Sequence, residues 1–288
     1  MPSWAGISRA LASLWNPPMP YHRRSFTFAL TCIVRFLVWR DRALDLFGIG
    51  PRGAFSNQPV FRHSIPSGKN TVDAVFVEPA TGPARAAILI CHGIGETVGR
   101  WLPVQQLLAA HGVASLVFDY SGYGLSTGRV DWIQCELDAE AAFRQLEHLT
   151  SPLPISILGF SLGSGPAAAI ANRVRADHLI LGAAFTSFRD AARVAGIPRA
   201  LSALVPPIWS AMESLRDCSV PVLILHGEKD RLFPVRMAHD LVSCCPGKVE
   251  LLVVPDLAHN QPFRKPDLSY WGLIIARLLA EEPARRES

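Results

Sequence analysis

The chain has 288 residues, of which 49% are apolar; this fills the core of one large domain and excludes an intrinsically disordered protein. Its 28 lysines and arginines against 24 acids leave a formal net charge of only +4. No basic stripe with interleaved aromatic residues is present, so no nucleic-acid partner is expected. The six cysteines form no CxxC pair or metal-like cluster, and neither a metal nor an organic cofactor is predicted.

Residues 1–55 are predicted to be an N-terminal helical extension that ends in a segment rich in glycine and proline. Within it, residues 25–39 are the most hydrophobic stretch, but fifteen residues interrupted by Arg35 are fewer than the roughly 20 needed to span a bilayer. The apolar side chains that recur there at helical spacing are Phe26, Leu30, Ile33 and Leu37. Such a stripe fits a helix docked on the rest of the protein or an interfacial helix in peripheral contact with a membrane. The predicted location is cytoplasmic, with membrane association as the alternative.

From residue 56 to residue 288 short β-rich runs alternate with helical ones. The runs predicted as strands are Val72–Glu78, Ala86–Cys91, Val113–Phe118, Ile155–Gly159, His178–Gly182, Val222–His226 and Val249–Val254. Near-continuous apolar strands between helices predict a mostly parallel sheet covered on both faces, in an α/β domain. A short insertion is expected at about 184–219, with room for a few short helices. Ligands of such a sheet bind beyond the carboxyl ends of its strands.

Four helical segments carry recognisable signals. Trp101–His111 and Tyr270–Ala280 are predicted as helices, and a third follows the strand that ends at Gly159. Asp131 is predicted to cap the fourth, with Gln134 as its capping-box partner. The apolar side chains expected on the buried face of that helix are Ile133, Leu137, Leu146 and Leu149.

Gly159-Phe160-Ser161-Leu162-Gly163 is a G-x-S-x-G run between a predicted strand and a predicted helix. The glycines are expected to allow a sharp turn that holds Ser161 in a strained conformation with its hydroxyl exposed. Acyl transfer also needs two N–H donors for the tetrahedral oxyanion. The sequence predicts these donors as the backbone amides of Leu162, directly after the nucleophile, and of Ile94 in the His92-Gly93-Ile94-Gly95 loop.

Asp230 follows one predicted strand and His259 follows the last. An acid in that place can hydrogen-bond a histidine and fix its tautomer. The order Ser161, Asp230, His259 is the order of nucleophile, acid and base in one large class of serine hydrolases. Asp256 is a nearer rival for the acid, and His92 is a rival base that is better explained as structural.

A resemblance to a known family rests on these elements together. Residues 119–128 (DYSGYGLSTG) resemble the D-x-x-G-x-G-x-S-x-G turn of α/β-hydrolases, and with the other motifs the resemblance spans residues 71–262. The sequence DYSGYG is similar to the corresponding sequence of the membrane-associated acyl-protein thioesterases and of uncharacterised bacterial hydrolases. Their N-terminal cysteine cluster is absent, since only Cys32 precedes residue 91. The resemblance implies an α/β-hydrolase fold with a catalytic triad and an oxyanion hole, and a structural role for Asp119.

The predicted function is a serine hydrolase, carboxylesterase-like, that cleaves carboxylic esters through an acyl-enzyme on Ser161. Its partner is then a small-molecule acyl ester or thioester. An acyl-thioesterase or a serine peptidase would use the same triad. A non-catalytic binding protein on the same fold is the alternative from another class, and its expected signature is a broken triad, whereas all three residues are present here.

Overall fold

The computed structural model describes residues 57–280, apart from positions 195, 197, 199, 203, 204 and 206. The predicted N-terminal extension at residues 1–55, including the apolar stripe in residues 25–39, lies outside this range. Within the range, no helix has both the length and the hydrophobicity that crossing a bilayer requires.

A single sheet organises the described part of the chain. Its strands are β1 (Val60–Ser67), β2 (Asn70–Val77), β3 (Ala86–Cys91), β4 (Val113–Phe118), β5 (Ile155–Phe160), β6 (His178–Gly182), β7 (Val222–Gly227) and β8 (Val249–Val254). They lie side by side in the order β1-β2-β4-β3-β5-β6-β7-β8. The pairs β1–β2 and β2–β4 are antiparallel, and all later pairs are parallel. The predicted α/β class, with a mostly parallel sheet, is confirmed.

Helices connect the strands and flank the sheet. They are α1 (Val98–Ala110), α2 (Trp132–Thr150), α3 (Ser164–Ile170), α4 (Phe188–Val194), α5 (Ala211–Arg216), α6 (Arg236–Cys244), α7 (Gln261–Arg264) and α8 (Trp271–Ala280). A 3₁₀ turn at Ser161–Gly163 joins β5 to α3. The sheet faces divide the core in two, as β3 illustrates. Its six residues are all buried, and successive side chains belong alternately to one cluster and to the other, as the two-residue period of a strand requires.

The strand β1 was not predicted, because most of its residues are exposed and its sequence therefore lacks the continuous apolar run of a buried strand. It is an edge strand that pairs only with β2. The other predicted strands are present, and β3, β4, β6 and β8 have the predicted bounds. The lack of an apolar run explains the omission of β1, since the other edge strand in the described sheet, β8 with the sequence VELLVV, was predicted.

The predicted buried face of α2 is partly wrong. Ile133 and Leu137 are 67% and 45% exposed, although Leu146 is buried as expected. A polar residue, Asp138, lies instead on the buried face, where its carboxylate accepts from the Ser121 amide and from the Ser67 hydroxyl. The helix is rotated from the predicted orientation because its buried face follows another apolar stripe, which includes Cys135, Ala139 and Phe143. The hydrogen bonds satisfy the carboxylate that is buried beside that stripe.

The start of α2 also departs from a full capping box. The Asp131 side chain accepts from the amide of Gln134 as expected. However, the Gln134 side chain donates to Asp138 and to the Ser67 hydroxyl rather than returning to Asp131. The glutamine thus joins the polar group that ties the end of β1 to α2.

The predicted insertion corresponds to the connection between β6 and β7, which contains α4 and α5. An isolated antiparallel bridge joins Ser187, directly before α4, to Ser210, directly before α5. Trp209 lies so close to α3 that a Cβ added to Gly165 would be 2.6 Å from its indole ring. The indole N–H of Trp209 also donates to Glu136 on α2 at 3.0 Å. This insertion is therefore fixed against the helix that follows Ser161.

Candidate active site

Ser161 lies at the carboxyl end of β5, on the turn into α3. Its φ is +52°, a left-handed conformation that costs a non-glycine residue on the order of 1–3 kcal/mol. Its carbonyl accepts a hydrogen bond from the hydroxyl of Ser164 at 2.7 Å. The strain predicted for this turn is thus carried by the serine itself, and it sets the side chain apart from the strand.

The flanking glycines are required for close packing rather than for an unusual φ. A Cβ on Gly163 would overlap the carbonyl oxygen of Cys91 in β3. A Cβ on Gly159 would lie 2.6 Å from the Cβ of Ala167 in α3. Both φ/ψ regions are open to other residues, since Gly163 has φ −61° and ψ −17° and Gly159 belongs to a strand. The two glycines of the G-x-S-x-G pattern are therefore needed because the turn packs tightly between β3 and α3.

The structure brings Ser161, Asp230 and His259 together. Ser161 Oγ lies 2.9 Å from His259 Nε2, and His259 Nδ1 lies 2.6 Å from Asp230 Oδ2. All three residues are buried. With Nδ1 protonated, His259 donates to Asp230 and accepts from the serine hydroxyl, which is the tautomer that a general base needs.

The carboxylate of Asp230 is itself held in place. Its Oδ1 accepts from the amides of Leu232 and Phe233, each at 2.8 Å, which leaves Oδ2 for His259. The ring of Phe233 packs edge-on against the imidazole of His259, with centroids 5.2 Å apart. The loop after β7 therefore fixes both the acid and one face of the histidine.

Asp256, the rival acid, faces elsewhere. Its carboxylate pairs with Lys229 Nζ at 2.6 Å, and its side chain is 77% exposed. Asp256 has φ +59°, so the residue forms the turn between β8 and the segment that carries His259. The geometry thus favours Asp230 over Asp256 as the partner of His259.

His226 contacts the loop that carries Asp230. Its Nε2 donates to the carbonyl of Phe233 at 2.8 Å and lies 3.6 Å from Asp230 Oδ2. Burial lowers the pKa of His226, so the imidazole is neutral near pH 7. These contacts give His226 a structural role in the loop that carries Asp230.

The loop after β3 contains a residue that the sequence reasoning missed. Glu96 is buried, and its Oε2 accepts from the Gly93 amide at 2.8 Å and from the Trp101 indole N–H at 2.7 Å. Ile94 follows Gly93 directly, and Gly95 has φ +70°. Glu96 thus determines the path of the loop that carries the Ile94 amide. A lone acid in the otherwise uncharged stretch 86–99 was the signal available in the sequence.

Neither of the two backbone amides predicted for the oxyanion hole donates a hydrogen bond within a described turn. In the part of the chain that the structure describes, the amides of Ile94 and Leu162 donate to no loop or turn carbonyl. Leu162 begins the turn after Ser161, and Ile94 belongs to the neighbouring loop after β3. Both groups remain the predicted donors to an oxyanion.

His92, the rival base, belongs to a separate buried cluster. Its Nδ1 donates to the Gly93 carbonyl at 2.8 Å, and its Nε2 lies 3.5 Å from Asp119 Oδ1. Burial alone lowers the pKa of His92, but the nearby carboxylates of Asp119 and Glu96 outweigh it and raise that pKa. Burial raises the pKa of both Glu96 and Asp119, with His92 opposing the rise. Asp119 also accepts from the Val98 amide, so it anchors the start of α1.

A cavity of about 830 Å³ lies beside His259. Its lining comes from two segments, 229–232 after β7 and 256–265 after β8. The lining side chains that bear charge are Lys229, Arg231, Asp256, Arg264 and Lys265. The cavity thus adjoins the imidazole at the carboxyl end of the parallel strands, where ligands of such sheets bind.

Comparisons with known proteins identify chains that resemble this one. Residues 82–213 match the family model Hydrolase_4, described as serine aminopeptidase, S33. Protein bem46 of Schizosaccharomyces pombe is 30% identical over 207 residues, which cover 67% of this chain and 68% of that protein. An uncharacterised protein of Mycobacterium tuberculosis is 29% identical over 186 residues, covering 63% of this chain and 66% of the relative.

More distant matches extend the comparison. The lysophosphatidylserine lipase ABHD12 of Danio rerio is 28% identical over 203 residues, which cover 62% of this chain but only 53% of the lipase. The chain therefore spans about half the length of that relative. Among solved structures, an esterase of Pyrococcus furiosus superposes with a TM-score of 0.60 at 19% identity, over 80% of this chain and 96% of the esterase. At that identity the likeness shows the fold.

Proposed function

Because the chain belongs to the α/β-hydrolase superfamily and is a hydrolase of the serine type, we propose that it cleaves carboxylic esters through an acyl-enzyme on Ser161. The observation that carries the proposal is the unbroken hydrogen-bond chain from Ser161 through His259 to Asp230. The substrate is a small-molecule acyl ester or thioester. A relative named as a lipase supports ester cleavage.

The proposed reaction uses each group where it lies. Ser161 Oγ attacks the acyl carbon while its proton passes to His259 Nε2, and Asp230 stabilises the resulting imidazolium. The amides of Ile94 and Leu162 donate to the oxyanion. His259 then returns the proton to the leaving oxygen, and water, activated by the same imidazole, releases the acid from Ser161. Neither a metal nor an organic cofactor enters this scheme.

The test combines a substrate panel with Ser161→Ala. The panel contains p-nitrophenyl esters of graded chain length, an acyl-thioester and an aminoacyl anilide, because the matching family model is described as an aminopeptidase. We expect the esters to be cleaved fastest and the variant to lose turnover by on the order of 10⁴ to 10⁶. A variant that keeps a tenth of the wild-type rate refutes the assignment, and preference for the anilide replaces esterase by peptidase.

A finer proposal concerns location. Residues 25–39 are proposed to make peripheral contact with a membrane, on the strength of their apolar stripe and of the nearby arginines in the sequence. A cytoplasmic location with membrane association would then place the catalytic domain beside lipid substrates. Deletion of this segment, considered in the Discussion, tests the contact.

A further inference from the structure

The described residues that line the cavity beside His259 carry more positive than negative charge. Among the described residues that line it, four are cationic and one is a carboxylate. Lys229 is neutralised by that carboxylate, Asp256, at 2.6 Å. Arg231, Arg264 and Lys265 are exposed and have no carboxylate partner in the described part of the chain. Three positive charges thus face one cavity without compensation.

Five arginines elsewhere on the described surface pair with a carboxylate within 4 Å: Arg62, Arg144, Arg173, Arg193 and Arg236. Others, such as Arg216, stand alone and exposed, so the cations of the cavity are distinguished by lying together beside one histidine. Clustered like charges repel each other, so an uncompensated group of three beside a reactive histidine favours an anionic ligand. The neutral lining side chains Asn260 and Gln261 add polar groups that can share in binding it.

The position of the cavity indicates which half of an ester it receives. In acyl transfer the imidazole returns its proton to the leaving oxygen, so the alcohol half must lie next to His259. The lining residues belong to the loops that carry His259 and Asp230, at 229–232 and 256–265. The oxyanion donors lie on other segments, at Ile94 and Leu162. The cations therefore lie on the His259 side of the site, where the alcohol half of an ester is expected.

We propose that the substrate is a carboxylic ester whose alcohol half bears an anionic group, a phosphate or a carboxylate, bound by Arg231, Arg264 and Lys265. The proposal rests on the esterase function proposed above. Guanidinium groups suit both anions because they donate two parallel hydrogen bonds to them. In the reaction the bond between Ser161 Oγ and the acyl carbon forms, and the bond to the alcohol oxygen breaks. The anion is unchanged and leaves with the protonated alcohol.

The experiment compares matched soluble esters. The neutral reference is 1-hexanoylglycerol, and its anionic counterparts are 1-hexanoylglycerol 3-phosphate and 4-(hexanoyloxy)butanoate. Monohexyl succinate carries its charge on the acyl half instead. We expect the wild type to have a kcat/KM about tenfold or more higher for the better anionic ester than for the neutral one, because hydrogen bonds to charged groups contribute about 1.5–3 kcal/mol. The kcat/KM for monohexyl succinate should be no higher than that for the neutral ester. The phosphate and carboxylate arms show which anion is preferred.

Variants assign the effect to the cavity. In Arg264→Gln/Lys265→Gln, and separately in Arg231→Gln, the ratio of kcat/KM for the anionic ester to that for the neutral ester should fall about three- to tenfold, as expected for exposed cations. Arg216→Gln is the matched control, because Arg216 is an exposed cation at the end of α5, outside the cavity lining. It should leave the ratio unchanged.

Binding separates failure of this inference from failure of the esterase function. Calorimetry measures the affinity of the protein for 1-O-hexylglycerol 3-phosphate and for neutral 1-O-hexylglycerol, which are ethers and cannot be cleaved. Tighter binding of the phosphate that weakens in Arg264→Gln/Lys265→Gln supports the cavity even if no ester is turned over. Equal affinities, or Ser161-dependent cleavage with no preference for either anion, overturn the inference while leaving the esterase intact.

Discussion

At the scale of single residues, the roles of the acids near His259 depend on which atoms they contact. The Oδ2 atom of Asp230 reaches His259 Nδ1 at 2.6 Å, and its Oδ1 is fixed by two backbone amides. Asp256 is closer in sequence but is held by Lys229 on the surface. Sequence proximity is therefore a poorer guide to the acid than the position of each residue at the end of its strand.

Substitution of the two acids should give very different losses. Asp230→Asn presents an amide N–H or a weaker acceptor to His259, reverses its favoured tautomer, and should lower kcat by on the order of 10⁴. Asp256→Asn breaks only an exposed ion pair, worth about 0–1 kcal/mol, and should change kcat little. Steady-state hydrolysis of a p-nitrophenyl ester measures both. A larger loss in Asp256→Asn would show that the acid is misassigned.

Glu96 offers a second prediction at this scale. Glu96→Ala leaves the Gly93 amide and the Trp101 indole N–H without their partner, at a cost of about 1–3 kcal/mol for each buried group. The loop that carries Ile94 should shift, so kcat should fall roughly tenfold or more with little change in KM, as for a group that acts on the transition state.

The conservative variant is the control for that prediction. Glu96→Gln keeps an oxygen that can accept both hydrogen bonds, so it should restore most of kcat. Near-ultraviolet circular dichroism checks that both variants are folded. If Glu96→Gln loses as much as Glu96→Ala, the carboxylate acts by its charge rather than by positioning the loop.

At the scale of elements, the turn between β5 and α3 is fixed by its contact with β3. The carbonyl of Cys91 lies directly against Gly163, so the nucleophile turn and the loop at the end of β3 can approach each other only through a residue without a side chain. This contact brings the predicted donors of the oxyanion hole, one on each segment, into the same region.

Gly163→Ala should therefore be strongly damaging. The added methyl group meets backbone atoms that cannot move aside, and we expect a loss of roughly 3 kcal/mol or more in the free energy of unfolding. Gly272→Ala in α8 is the control, since its Cβ would lie 3.6 Å from Leu268 and should change stability by no more than about 1 kcal/mol. Urea unfolding measures both. A stable Gly163→Ala protein would show that the turn is looser than described.

How much of each element could be predicted depends on what surrounds it. The strands β3 and β4 are buried on both faces, and a continuous apolar run identifies them. The edge strand β1 lacks this signal. In α2 two apolar stripes compete at helical spacing, and the stripe with Cys135, Ala139 and Phe143 is buried while Ile133 and Leu137 are exposed. Of the site, the three residues that meet at His259 followed from chain order. Glu96 did not, because its partners are a backbone amide and an indole.

At the scale of the whole molecule, the three site residues lie at the same edge of the sheet because each follows the carboxyl end of a parallel strand. Ser161 follows β5, and Asp230 and His259 follow β7 and β8. Residues 1–55 lie outside the part of the chain that the structure describes. Their proposed contribution is access to the site or attachment to a lipid surface.

Deletion of residues 1–50 tests that contribution. If the segment limits access or binds lipid, the truncated protein should change its acyl chain-length preference or its co-sedimentation with vesicles more than its turnover of a short acetate ester. A docked helix predicts instead an insoluble or unstable protein, because its removal exposes an apolar face. A soluble truncation with unchanged selectivity and unchanged vesicle binding contradicts both readings.

The anchoring of the insertion by Trp209 has a consequence for how this protein can diversify. The bridge between Ser187 and Ser210, together with the Trp209 indole against Gly165, fixes both ends of the intervening chain independently of its length. Each doubling of a flexible loop costs only about 0.6 kcal/mol. Insertions between the exposed residues Val194 and Leu201, before the buried Ser202 and Val205, can therefore be accepted in evolution, or made by a designer who grafts a new specificity loop, while the nucleophile helix keeps its place.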